Sequence, residues 1–184
     1  MDTLILIGLG GNLPSARYGE PRHTLEATIK LLVQAGLGLR ARSRWYVTAP
    51  VPISDQPWYL NGVVSVTTDR DPAALLTLLH DIEASIGRVR GIRNAPRAID
   101  LDLLAYGDRV APAPAWPILP HPRLHERAFV LRPLADIAPM WRHPQNGLGI
   151  EDMLRTVDPA QHTRLMSPDE LADKLADEPP DPLG

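Results

Sequence analysis

Apolar residues crowd the start of the chain, and Thr3-Leu4-Ile5-Leu6-Ile7 reads as a buried strand that runs into a glycine turn at Gly8 and Gly10-Gly11-Asn12. From Glu20 the spacing becomes helical: Leu25, Ile29 and Leu32 share one face, and Gly36 supplies the stop. Strict alternation follows. Leu37, Leu39, Ala41, Ser43, Trp45 and Val47 fall on one side and Arg40, Arg42 and Arg44 on the other, which predicts a strand with one face in water. Pro50, Pro52 and Pro57 exclude helix or central strand, so a stiff loop is expected from Thr48 to Pro57. A strand resumes from Tyr59 to Thr68. Asp71-Pro72 then supplies an N-cap and a first helical position, Leu75, Leu79, Ile82 and Ile86 form an apolar stripe, and Gly87 ends the helix. Ala98 to Tyr106 reads as another apolar-rich strand, closed by a turn at Gly107-Asp108.

The resulting order is β-α-β-β-α-β. This is the split arrangement of a ferredoxin-like α+β sandwich, with two helices covering one face of an antiparallel sheet. Residues 112 to 123 then hold five prolines, and Phe129 to Ile137 is expected as a short strand or helix packed against the body. A chain of 184 residues suits one core, so a single domain is expected over residues 1–168. Residues 169–184 are acidic and carry Pro179-Pro180 and Pro182, which predicts a flexible tail.

Composition narrows the classes of function. With hydrophobic residues at 44% and charged residues at 22%, the chain has the balance of a folded, water-soluble domain. No stretch approaches the roughly 20 apolar residues of a membrane span, and Met1-Asp2-Thr3 lacks the basic region of a secretory signal, so a cytoplasmic location is expected. The absence of cysteine removes disulfides, thiol nucleophiles and thiolate metal sites, so any metal must sit on Asp, Glu or His. A net charge of −3 argues against broad binding to nucleic acid. Within it, Arg88, Arg90, Arg93 and Arg97 form a local basic cluster that suits a small polyanion, although a solvated charged loop would have the same composition.

The clearest chemistry lies in Asp100-Leu101-Asp102. On a strand the two carboxylates share a face, about 6–7 Å apart along the backbone, within reach of a pair of metal ions about 3.5–4 Å from each other. Their oxygen chemistry and the neighbouring arginines favour Mg²⁺ shared with phosphates. An exposed edge strand would also carry an Asp-x-Asp. The setting among Ile99, Leu101, Leu103 and Leu104 weighs against that, because carboxylates there need a cation or hydrogen bonds. The glycine turn at Gly8–Gly11 lacks the Lys-Ser or Lys-Thr of a phosphate loop and is read as a turn.

Gly87-Arg88-Val89-Arg90, followed by Pro96-Arg97-Ala98-Ile99-Asp100-Leu101-Asp102, resembles the signature of the 6-hydroxymethyl-7,8-dihydropterin pyrophosphokinase family of folate biosynthesis. The resemblance continues in Gly10-Gly11-Asn12-Leu13, in Thr48-Ala49-Pro50-Val51, in Asp55-Gln56-Pro57 with Tyr59-Leu60-Asn61, and in Pro120-His121 with Arg127-Ala128-Phe129. It implies a ferredoxin-like core and transfer of diphosphate from ATP to the pterin. It also implies two Mg²⁺ ions on Asp100 and Asp102, and Arg88, Arg97, His121 and Arg127 at the triphosphate. Arg88, Arg90 and Arg97 would be the catalytic arginines, Arg90 on a closing loop, and Glu83 would stand near the nucleotide. Thr48, Pro50, Val51, Tyr59, Asn61 and Phe129 would bind the pterin, the aromatic rings sandwiching the flat bicycle. The partners implied are these two small molecules, with no nucleic acid or membrane, acting on a monomer. Two departures stand out: Asn94-Ala95 replaces the Trp-Gly of many relatives, and Trp116 and Ile118 stand where some relatives carry polar nucleotide-contacting residues.

Overall fold

The computed structural model describes residues 3–50, 54–87, 96–168 and 170. Strand β1 (Ile5–Gly11) is flanked on one side by β4 (Tyr59–Thr67) and on the other by β5 (Asp100–Tyr106), both antiparallel to it. Beyond β4 come β3 (Tyr46–Thr48) and then β6 (Thr163–Leu165), and β2 (Gly38–Arg42) pairs with another stretch of β4. This is the expected ferredoxin-like order, with β5 as an edge.

Helices α1 (Pro21–Gln34) and α2 (Pro72–Ile86) cover one face, where Ile5, Ile7 and Leu9 of β1 meet Leu25, Ile29, Leu75 and Leu79. The signals for α2 act as read: Asp71 Oδ1 accepts from Ala74 N at 2.8 Å, and Gly87 takes a left-handed φ of 100° that only glycine adopts at little cost. The opposite face is closed by α3 (Ala128–Ile137) and α4 (Ile150–Thr156), whose Val130, Leu131, Leu134, Ile150 and Met153 pack on Leu6, Val63 and Leu104. The segment from Phe129 is therefore a helix, and it adds a layer beyond the two-helix sandwich. No described helix is long and apolar enough to cross a membrane.

Two expectations are corrected. The glycines at 8, 10 and 11 do not turn the chain; they continue β1 through Gly11. A Cβ on Gly11 would stand 2.4 Å from the Ala98 carbonyl oxygen, and one on Gly10 would stand 2.6 Å from Asn61 Oδ1, so these glycines serve close approach between strands. The predicted single strand from Leu37 to Val47 is split at residues 43–45. Its ladder with β4 slips between Leu39 and Ala41 and again before Tyr46. Ser43 fills the break, donating its N–H to Val63 O and accepting from Val63 N at its Oγ, both at 2.9 Å. Each slip changes the face on which the next residue emerges. Arg42 therefore turns to Glu26 of α1 (2.7 Å) and Arg44 to Asp136 of α3 (2.6 Å), on opposite sides of the sheet.

Candidate active site

Directly opposed residues in an antiparallel ladder emerge on one face, and the register of β1 places the site on the α3 side of the sheet. Gly10 stands opposite both Asn61 of β4 and Asp100 of β5, and Gly8 opposite both Val63 and Asp102. The glycines lack side chains, so the Asn61 amide lies over Gly10 and Leu104 over Gly8, and β1 runs between an amide wall on one side and a carboxylate wall on the other.

On the carboxylate wall, Leu101 is buried while the Asp100 and Asp102 side chains keep 30% and 32% of their surface exposed, the alternation expected from the strand. Arg97 Nη1 lies 3.2 Å from Asp100 Oδ2, and Arg127 Nη1 lies 3.5 Å from Asp102 Oδ2. His121 Nε2 lies 4.0 Å from Asp102 Oδ1. These approaches are longer than the 2.6 Å pair of Arg44 with Asp136, and they bring cations and carboxylates together on one face. Among the described residues no three His, Cys, Asp or Glu side chains converge to hold a metal. Two hard carboxylates, each about one-third exposed, suit Mg²⁺, which keeps waters and shares phosphate oxygens, better than a metal caged by protein alone.

Burial, reinforced by the Arg127 guanidinium, lowers the His121 pKa to about 4. Its Nδ1 accepts from Arg123 N at 3.2 Å, which leaves the ring proton on Nε2, facing the cleft. At neutral pH His121 is thus a neutral donor rather than a cation. Burial also lowers the Arg127 pKa, opposed by the Asp102 charge, and the guanidinium rests 5.4 Å above the Phe129 ring.

On the amide wall, Asn61 Nδ2 donates to Thr48 Oγ1 at 2.8 Å, and both side chains are buried. Pro50, two residues after Thr48, is buried, and Tyr59 is half-buried with its hydroxyl 3.3 Å from Gln56 Oε1. The structure thus gathers Thr48, Tyr59, Asn61, Arg97, Asp100, Asp102, His121, Arg127 and Phe129 around one face, while for Pro50 it shows burial alone. Val51, Arg88 and Arg90 lie outside the described residues. Glu83 reaches the site through the backbone: it is 1% exposed on α2, and its Oε1 accepts from Leu101 N at 2.7 Å, on the free edge of β5 between the two aspartates.

One residue that sequence reasoning passed over is Asn12. Its Oδ1 accepts from Arg97 N (2.9 Å) and its Nδ2 donates to Pro57 O (3.0 Å), so one buried amide ties the two walls at the end of β1. Its only signal was its place after the paired glycines.

Residues 6–139 match the model of the 7,8-dihydro-6-hydroxymethylpterin-pyrophosphokinase (HPPK) family. The chain belongs to the HPPK family. It is 42% identical over 139 residues to the 2-amino-4-hydroxy-6-hydroxymethyldihydropteridine pyrophosphokinase of Methylorubrum extorquens, covering 74% of this chain and 84% of that one. It is 38% identical to the Pseudomonas aeruginosa protein of the same name, covering 78% and 86%. The family unit also occurs inside longer proteins: the mitochondrial folate synthesis bifunctional protein of Pisum sativum is 38% identical, with 74% of this chain matching only 25% of its length. Wild-type Plasmodium falciparum HPPK-DHPS shares the fold, with a TM-score of 0.61 at 14% identity over 84% of this chain and 44% of that one.

Proposed function

We propose that this HPPK-family chain transfers the terminal diphosphate of ATP to the hydroxymethyl group of 6-hydroxymethyl-7,8-dihydropterin, releasing AMP. The observation that carries the reading is the pairing across β1, with the Asn61–Thr48 pair on one side and Asp100 and Asp102, beside Arg97, Arg127 and His121, on the other. One side offers buried amide and hydroxyl groups to the edge of a flat heterocycle. The other offers cations and carboxylates to a metal–triphosphate.

In the reaction, the hydroxymethyl oxygen forms a bond to the β-phosphorus while the bond from that phosphorus to the α,β-bridging oxygen breaks. AMP takes the electron pair, and the hydroxyl proton passes to solvent. Asp100 and Asp102 would hold Mg²⁺, two ions in this proposal, which when bound neutralises phosphate charge. Arg97 and Arg127 neutralise the non-bridging oxygens, and His121 donates its Nε2 proton as a hydrogen bond. Arg88 and Arg90 join this set on sequence resemblance alone, as does Val51 on the pterin side. Thr48 and Asn61 fix the pterin edge, Pro50, Tyr59 and Phe129 supply apolar surface to its faces, and Glu83 holds the β5 backbone from which both carboxylates project. Alignment and charge neutralisation then supply the acceleration. The proposal has the chain act as a cytoplasmic monomer.

The test is incubation with Mg²⁺-ATP and the hydroxymethyl pterin, followed by chromatography. AMP and pterin diphosphate should appear in equal amounts, and neither without pterin or with a chelator. Release of ADP in place of AMP, or no turnover, overturns the proposal.

A further inference from the structure

Helix α3 begins at the site, with Arg127 as its N-cap residue and Phe129 in its first turn, yet Arg127 caps the helix with no side-chain hydrogen bond. The cap comes from a distant residue instead. Gln161 Oε1 accepts from Ala128 N at 3.0 Å, and Gln161 Nε2 donates to Glu126 O at 2.7 Å. Those two groups belong to the peptide units on either side of Arg127. One planar carboxamide therefore clasps the Arg127 backbone from both ends and holds it extended at φ −114° and ψ 109°. From that backbone the guanidinium reaches Asp102.

Gln161 is itself anchored. Its N–H donates to Asp158 O at 3.0 Å, and the carbonyl of the next residue, His162, accepts from Ala49 N at 3.0 Å, beside Thr48. The chain then continues as β6 along β3. A single short segment thus joins the amide wall to the helix start that carries Arg127, and it lies beyond residue 139, where the family match ends.

We propose that Gln161 is a positioning residue for Arg127, aiming its guanidinium into the cleft for phosphate oxygens. The inference rests on the nucleotide role proposed above for Arg127. An ordinary helix cap would contribute stability alone. A positioning residue contributes to ligand affinity, and does so only while the arginine is present.

The experiment is calorimetric titration of the full-length protein with a non-hydrolysable ATP analogue and Mg²⁺, using wild type, Gln161→Ala, Arg127→Ala and the double variant. Gln161→Ala is expected to weaken binding about fivefold, the effect of losing two hydrogen bonds in a partly exposed setting. The double variant should bind within about twofold of Arg127→Ala, because residues that act through one another are not additive. Gln161→Met keeps the side-chain length without the amide; it should show the same roughly fivefold loss and replaces Gln161→Ala where the alanine variant folds poorly. Wild-type affinity in the Gln161 variants, or losses that add in the double variant, overturns the inference while leaving the proposed function standing. A wild-type chain that binds no analogue overturns both.

Discussion

The Gly10→Ala substitution tests the two walls about β1 most directly, because its effect is directional. The added methyl would stand 2.6 Å from Asn61 Oδ1, about 0.8 Å inside ordinary contact, with the Leu60 carbonyl oxygen its next new neighbour at 3.9 Å beyond the Asn61 amide itself. Asp100, on the opposite side of Gly10, has no atom among those nearest contacts. The Asn61 amide must therefore swing away, and its 2.8 Å bond to Thr48 stretches or breaks. Both side chains are buried, so the lost bond costs about 1–3 kcal/mol. In a domain of this size that lowers Tm by about 2–12 °C. Pterin affinity should fall by about tenfold or more, since a polar contact displaced by most of an ångström is lost, while the affinity for a Mg²⁺–ATP analogue stays within about twofold. Pterin fluorescence titration and calorimetry with the analogue measure the two separately. Adding Asn61→Ala to Gly10→Ala removes the collision, so the double variant should bind pterin no worse than Asn61→Ala alone. Wild-type pterin affinity in Gly10→Ala would show that the Asn61 amide does not read the pterin. Equal loss for both ligands would show that the two walls are not separate.

Asp102→Asn removes one carboxylate from a side chain that is one-third exposed, so AMP release should fall about 100- to 1,000-fold with Tm nearly unchanged; near-normal turnover would refute the metal-holding role. Gly11→Ala sets its methyl against a backbone carbonyl at 2.4 Å, which cannot swing aside, so its Tm should fall further than that of Gly10→Ala in thermal melts. His143 is buried among Trp141 and His125, and burial first, then the neighbouring His125, lowers its pKa below the ordinary value. The unfolded chain then takes up the proton first, so this stabilising contribution is complete above about pH 6.5 and declines as pH falls, by up to about 1.4 kcal/mol per pH unit. Denaturant midpoints at pH 7 and pH 5 should converge in His143→Gln relative to wild type, and an identical pH slope in both would refute the assignment.

How far the sequence could be read depended on whether each signal had one physical meaning. Helix α2 was legible because its cap, first-turn proline, apolar stripe and terminal glycine all say the same thing, and each acts as read. Asp100 and Asp102 were legible because a period of two can only place them on one face. The glycines at 8, 10 and 11 were not, since a turn and a close approach between strands call for the same residue, and only the register shows that Gly10 faces Asn61. The arginines at 42 and 44 were misassigned to one face because the slips against β4 leave no trace in composition. Strand β6 has three residues, too few for a period, and Gln161 matters only through groups more than 30 residues away.

Three neighbouring strands change character at the same level, and that coincidence builds the site. On the α3 side of the sheet, β1 passes from Leu6 to Gly8 and Gly10, β4 from Val63 to Asn61, and β5 from Leu104 to Asp102 and Asp100. The apolar ends lie under α3 and α4; the polar ends open beyond them. The other face stays apolar along the same strands, with Ile7, Leu9, Val64, Leu101 and Leu103 under α1 and α2. A slip of one residue between β1 and either neighbour would exchange these faces, burying carboxylates and exposing leucines. Register is therefore fixed by the packing of the α1–α2 face, and the polar half of the other face inherits that precision. There Gly8 and Gly10 leave the space over β1 to their neighbours, with the Asn61 amide on one flank and the two carboxylates on the other.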